Sequence, residues 1–155
     1  MYSKAQKRLG QMLMDKGLIT SGQLDFALSE QHSSKEFLGT ILLKHSIIKE
    51  EDLLKALSEQ FRIPYVALKD KYIPWNFVGR FSSTLIFEHR CFPVSHDEWS
   101  VTFALINPLD LWALKRAEEE SKGLKTKFVL VTTRDMDEAL LRYRQYMRGN
   151  ISKLF

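Results

Sequence analysis

The sequence predicts an α+β protein: an N-terminal four-helix tandem-repeat subdomain, then a small α+β subdomain with a mixed sheet. Three observations lead there. Residues 8–31 (RLGQMLMDKGLITSGQLDFALSEQ) and 37–60 (FLGTILLKHSIIKEEDLLKALSEQ) align without a gap at an offset of 29, with ten of 24 positions identical. Both copies space their apolar residues for helices. From residue 65 onward the texture changes to short β-branched and aromatic runs interleaved with helical ones, as mixed folds require.

Each copy reads as a helix pair. Leu9, Leu13 and Met14 recur at helical spacing before Gly17, a good helix stop, and Thr20-Ser21 offers cap hydroxyls for the helix that follows. The second copy breaks at Ser46 and restarts at Lys49-Glu50-Glu51-Asp52, whose acids complement a helix N-terminus. Residues 1–62 therefore form four short helices, with 32–36 as the connection between copies. Pro64 ends this part, because the residue before a proline is pushed out of helical space. A tandem unit is one supersecondary piece used twice, so the copies should face each other with approximate two-fold symmetry.

The second part, residues 65–147, begins with a short strand at 65–68 and a helix at 77–83. Residues 91–95 and 100–105 flank the turn His96-Asp97-Glu98 as a hairpin, with Val101, Phe103 and Leu105 on one face. Asn107-Pro108 turns the chain into a helix over 109–122 that stops at Gly123. Residues 127–131 form a β-branched strand, and Thr132-Thr133 caps a final helix over 135–147. Residues 148–155 read as a basic tail.

Composition narrows the function classes. At 155 residues, 45% hydrophobic and 27% charged, the chain reads as an ordinary globular protein rather than a disordered one. No apolar run is long enough to span a bilayer, so no membrane insertion is expected. The single Cys91 forms no intramolecular disulfide, fits a reducing cytoplasm and reads as a small core residue. The four histidines lack metal-ligand spacing with each other or with Cys91. The net charge of +4 lies wholly in the second part: residues 1–60 hold eight Lys/Arg against eight Asp/Glu, residues 61–155 hold 15 against 11. A neutral helical half argues against helix-turn-helix DNA binding, and no nucleic-acid partner is expected. Arg142, Arg144, Arg148 and Lys153 cluster at the last helix's C-terminal end, where cations complement the macrodipole. Neither a Walker phosphate loop nor Gly-x-Ser-x-Gly, His-Glu-x-x-His or Gly-x-Gly-x-x-Gly occurs, so no enzyme activity and no cofactor are expected.

The repeat carries what binding chemistry there is. Glycine at 10 and 39 allows close approach of a ligand or of another helix. Arg8 offers a planar guanidinium for a purine face or a phosphate, and Gln31 and Gln60 offer amides. The intervening leucines form an apolar bed, and their spacing is equally that of helix packing.

The pattern Arg-Leu-Gly-x-x-Leu-Met-x-x-Gly-Leu-Ile, then Leu24, Leu28 and Gln31, repeated after a five-residue spacer, resembles the MshEN domain. That domain is the N-terminal region of many type II secretion and type IV pilus assembly ATPases. Arg62-Ile63-Pro64 is similar to the family's segment after the repeat, Asn107-Pro108-Leu109-Asp110 to its Asp/Asn-Pro-x-Asp turn, and residues 132–143 to its last helix. The resemblance implies a receptor for cyclic di-GMP, a two-fold dinucleotide, without the ATPase motor. It implies ligand contacts from Arg8, Leu9, Gly10, Leu13, Leu24, Leu28 and Gln31 in the first copy, and from Leu38, Gly39, Leu42, Leu53, Leu57 and Gln60 in the second. Backbone amides around Leu9-Gly10 and Leu38-Gly39 would hold phosphates, and Arg8 would stack on or bond a guanine. Two positions depart from the pattern: Phe37 stands opposite Arg8, and Ser46 opposite Gly17. Phe37 offers a ring for stacking, and Lys35 a charge. The alternative function is a protein-docking module of a secretion or motility machine that binds no nucleotide. A protein partner in such a system is expected under either reading.

Overall fold

The computed structural model describes residues 4–69 and 71–153. The chain divides into two compact units, one ending at Arg62 and the other beginning at Ile63.

The first unit holds α1 (Lys4–Asp15), α2 (Ser21–Ser34), α3 (Leu38–Lys44) and α4 (Glu50–Phe61). Local signals set their ends. Thr20 caps α2 in a reciprocal box: its hydroxyl accepts from the Gln23 N–H, and the Gln23 side chain accepts from the Thr20 N–H. Such a cap is worth about 1 kcal/mol. α4 has no side-chain cap and instead carries Glu50, Glu51 and Asp52 in its first turn. The first helix of each copy ends in the same motif. Gly17 (φ 70°) and Ser46 (φ 55°) are left-handed, and Leu18 N–H→Leu13 O matches Ile47 N–H→Leu42 O at 2.9 Å each. The connection between copies is shorter than the spacing suggests. α2 runs on through Ser34, and Lys35 closes it in a left-handed conformation with its N–H on Gln31 O at 2.8 Å.

The contacts repeat the symmetry of the sequence. α1 packs on α4 and α2 on α3, which are the same contact under exchange of copies. Lys16, at the end of the first copy's leading helix, pairs with Glu59 of the second copy at 2.7 Å. Its counterpart His45 sets its ring edge-on to Phe26 of the first copy at 5.0 Å. Leu9, Leu13, Leu38, Ile41, Leu42, Leu53, Leu54 and Leu57 are buried between the helices.

In the second unit, β1 (Phe92–His96) pairs antiparallel with β2 (Ser100–Leu105), which pairs parallel with β3 (Lys125–Leu130). The sheet is mixed, in the order β1-β2-β3. A bulge between Pro93 and Ser95 breaks the hairpin register, and the hairpin turn is tied by Asp97 Oδ1, which accepts from the N–H groups of Trp99 and Ser100 at 2.7 Å each. The preceding segment enters through α5 (Trp75–Val78); α6 (Leu111–Glu120) makes the parallel crossover, and α7 (Thr133–Ser152) closes the unit. Asp110 caps α6 through Ala113 N–H, and Thr132 caps α7 through Asp135 N–H. On one sheet face Phe103 lies edge-on to Phe81 at 5.2 Å and stacks on Phe128 at 5.9 Å. On the other, Phe92 meets Trp75 of α5 and Tyr143 of α7. Cys91 is fully buried beside this core.

Three expectations need correction. Residues 65–68 are not a strand: Tyr65 alone bridges Leu130, and the Leu68 N–H turns instead to Asp135 Oδ2 at 2.9 Å. The helix expected at 77–83 is one turn, α5, because the Glu120 carboxylate takes both the N–H and the hydroxyl of Ser82 and holds the chain out of helical continuation. A π-helical turn, Thr84–Glu88, follows it, with His89 N–H on Thr84 O at 3.0 Å. Finally, no separate tail begins at 148, since α7 continues through Ser152; residues 154 and 155 of that expectation lie outside the described residues. Arg142 and Arg144 therefore lie well inside the helix, their guanidinium groups over the rings of Trp75 (5.4 Å) and Phe87 (4.7 Å).

Candidate functional site

The duplicated motif places its residues in two layers. The inner layer is core: Leu9, Leu13, Leu38, Leu42, Leu53 and Leu57 are each at most 5% exposed. Gly10 and Gly39 belong to it too, and they make equivalent contacts. A methyl group on Gly10 would lie 2.7 Å from Leu24 Cδ1, and one on Gly39 would lie 3.0 Å from Leu53 Cδ2. Each glycine thus admits the leucine of its own copy's second helix. The close approach they allow is between helices.

The outer layer is smaller. Arg8, Lys35 and Phe37 are exposed, and Leu24, Leu28 and Gln60 are half-buried. Gln31 is buried, and its amide Nε2 donates to Glu36 O at 2.9 Å. The last motif residue of copy one therefore fastens the chain just before Phe37, the head of copy two. The packing of α4 against α1 brings the helix ending in Gln60 alongside the helix that carries Arg8.

The backbone amides differ between copies, which corrects a symmetric expectation. Leu9 and Gly10 sit in the middle of α1, so their N–H groups are committed to helix bonds and are not offered to a phosphate. In the second copy Phe37 is the N-cap of α3, and the first intrahelical bond is Ile41 N–H→Phe37 O at 3.2 Å. The amides of Leu38, Gly39 and Thr40 precede it. One head supplies a guanidinium, the other a ring beside first-turn amides. The sequence could not show this inequality, because it depends on how far each helix extends ahead of its Leu-Gly pair.

Titratable chemistry is sparse. Burial, with the nearby Asp110 and Glu120 charges, pushes the Cys91 thiol far up, which leaves it an inert core thiol. Hydrogen bonds from the Trp99 and Ser100 amides hold the Asp97 carboxyl below its ordinary range, and burial raises the Tyr143 phenol. Among the described residues no group of three or more His, Cys, Asp or Glu is arranged to hold a metal ion, and no helix is long and apolar enough to cross a membrane.

Comparison with known proteins agrees with this architecture. The MshEN domain family model matches residues 61–150, most of the second unit and only the last two residues of the first. The type IV pilus assembly ATPase PilB of Myxococcus xanthus is 28% identical over 136 residues, covering 88% of this chain and 24% of that protein. The chain therefore spans about a quarter of that relative's length. Two solved structures share the fold. MshE with cdg (cyclic di-GMP) superposes at a TM-score of 0.78 with 22% identity, over 87% of this chain and 97% of that one. The N-terminal domain of XpsE superposes at 0.76 with 17% identity, over 92% and 97%.

Proposed function

The chain belongs to the MshEN domain family, and from that membership we propose that its repeat unit is a non-catalytic receptor for cyclic di-GMP, acting in the cytoplasm as part of a type IV pilus or type II secretion system. The observation that carries the reading is the duplicated motif. Two copies keep the same glycine-on-leucine contact and the same cross-copy packing, so their heads form a pair related by pseudo-two-fold symmetry. A ligand with two guanines and two phosphates has matching symmetry. The cyclic di-GMP bound in the MshE structure, on the same fold, adds support.

In this reading the motif's two layers divide the work. Leu9, Gly10, Leu13, Gln31, Leu38, Gly39, Leu42, Leu53 and Leu57 hold the frame. Ligand contact falls to Arg8, Leu24, Leu28, Lys35, Phe37 and Gln60, which reach the surface. Arg8 bonds a guanine edge or a phosphate, Phe37 stacks on a base, and Lys35 supplies charge to a phosphate. Titration calorimetry with cyclic di-GMP tests it: absence of heat at high micromolar concentration refutes the receptor. Arg8→Ala should weaken binding by about 1.5–3 kcal/mol, the value of a hydrogen bond to a charged group. An unchanged affinity removes Arg8 from the site.

The second reading, a docking module for a secretion or motility partner that ignores nucleotides, is favoured by one observation. Leu9, Leu13, Leu38 and Leu42 are so deeply buried that packing alone accounts for them. The same titration separates the two.

A further inference from the structure

We propose that a cleft in the second unit, beside the turn from α6 into β3, binds an acidic peptide of a partner protein through an aromatic side chain. This site is separate from the repeat and independent of the nucleotide reading. Its volume is about 420 Å³, and its walls are Phe77, Arg80, Phe81, Glu120, Lys122 and Leu124.

The floor is apolar and firmly held. Phe77 and Phe81 meet edge-on at 5.3 Å, His96 stacks on Phe77 at 3.8 Å, and Phe81 is anchored edge-on to Phe103 of the sheet core. Phe77 and Phe81 are largely buried, and His96 and Arg80 already cover the Phe77 ring, so an added ring meets their exposed edges, Leu124 and the aliphatic stems of Arg80 and Lys122. The polar groups of the wall are turned inward to their own chain. Glu120 accepts from the Ser82 N–H (2.6 Å) and hydroxyl (2.7 Å) and from Arg116 Nε (2.9 Å), while the Ser121 hydroxyl donates to Ala117 O at 2.6 Å. Two cations remain at the rim. Arg80 lies over the Phe77 ring at 5.5 Å, Lys122 also lines the cleft, and among the described residues neither has an ion-pair partner. Lys125, exposed, follows Leu124 directly in the chain. An apolar seat with two unpaired cations in its lining selects an apolar group flanked by carboxylates.

The openness of the cleft favours a peptide over a compact metabolite. Small-molecule sites bury most of their ligand, whereas this cleft seats one large side chain and leaves its cations in solvent at the edge. An aromatic anchor in a pocket with charged neighbours on the rim is how partner peptides are held.

The test is a titration of the ¹⁵N-labelled full chain, followed by amide NMR shifts, with the blocked peptide Asp-Glu-Phe-Asp-Glu. Controls replace its Phe by Ala, replace its acids by Ser and Gly, or use N-acetylphenylalanine alone. The expected result is shifts confined to residues 77–82, 96 and 120–125, with affinity lower by at least about tenfold for each control and for the R80E/K122E double variant. Both substituted residues are exposed, and an unchanged melting temperature verifies that the double variant is folded. No shifts at millimolar peptide, shifts elsewhere, or equal binding by R80E/K122E each overturn the proposal. Equal binding by N-acetylphenylalanine also overturns it, in favour of a small-molecule site.

Discussion

Gly39→Ala tests whether the motif glycines serve helix packing. The added methyl would sit 3.0 Å from Leu53 Cδ2 and 3.6 Å from Cδ1. Two effects oppose each other. Alanine gains up to about 1 kcal/mol over glycine in a helix interior, and less at Gly39, which is only the second residue of the seven-residue α3. Against that, Leu53 is 4% exposed and locked in the core, so it must be displaced by a few tenths of an ångström, and overpacking of this kind costs about 1–3 kcal/mol. The net expectation is destabilisation of about 1 kcal/mol, read from urea unfolding at unchanged m-value. A double-mutant cycle isolates the cause. In a Leu53→Ala background, itself costing about 2–5 kcal/mol, the clash is gone and Gly39→Ala should become neutral or slightly stabilising. If Gly39→Ala costs the same in both backgrounds, the glycine is not there for Leu53 and the packing argument fails. Gly10→Ala offers an internal comparison. Its overlap with Leu24 is deeper at 2.7 Å, but Leu24 is half-exposed and has solvent to swing into, so the penalty should be smaller.

Ser46 occupies the left-handed position that glycine fills in the first copy (φ 55° against 70°). Ser46→Gly should therefore stabilise the first unit by about 0.5–1 kcal/mol, and a drop in melting temperature would contradict this. Cys91, buried and with its thiol driven far above the ordinary range, should resist a disulfide-exchange reagent in mildly alkaline buffer and react once guanidinium unfolds the chain. Fast labelling of the native protein would place it elsewhere. Asp97 has a folded-state pKa below its unfolded value, so its contribution is full above the ordinary carboxylate range and is lost as pH falls through the folded pKa. Asp97→Asn should flatten the acid limb of a melting-temperature profile while leaving its shape near neutrality unchanged.

Much of the fold was legible because its signals are local. Thr20 and Thr132 announce helix starts by hydroxyls that reach their own third residue, and the alternation of Val101, Phe103 and Leu105 fixes a strand face. What could not be read is decided at a distance. Residue 82 leaves the helix because Glu120, far along the chain, claims its N–H and hydroxyl, and the N–H of Leu68 is claimed by Asp135 in the same way. The site was half legible. Glycine and leucine at matched positions were visible in the sequence, but spacing does not distinguish a leucine that faces a ligand from one that faces the next helix. Burial places Leu9, Leu13, Leu38 and Leu42 with the core, leaving Arg8, Phe37 and Lys35 at the surface. The cleft of Phe77 and Phe81 had no signature, since its walls come from two segments some 40 residues apart.

The cross-copy packing has the form of a small homodimer whose two subunits have been spliced end to end. In a true homodimer every substitution appears twice, once on each side of the axis. Here a link of three residues, Lys35 to Phe37, keeps the partners permanently associated and lets each side change alone. Arg8 against Phe37 and Gly17 against Ser46 are such one-sided changes, made while the Gly10–Leu24 and Gly39–Leu53 contacts stay matched. A two-fold ligand would thus be gripped by unequal hands. If the ligand spans both heads as proposed, the Phe37 end can be altered without touching the Arg8 end.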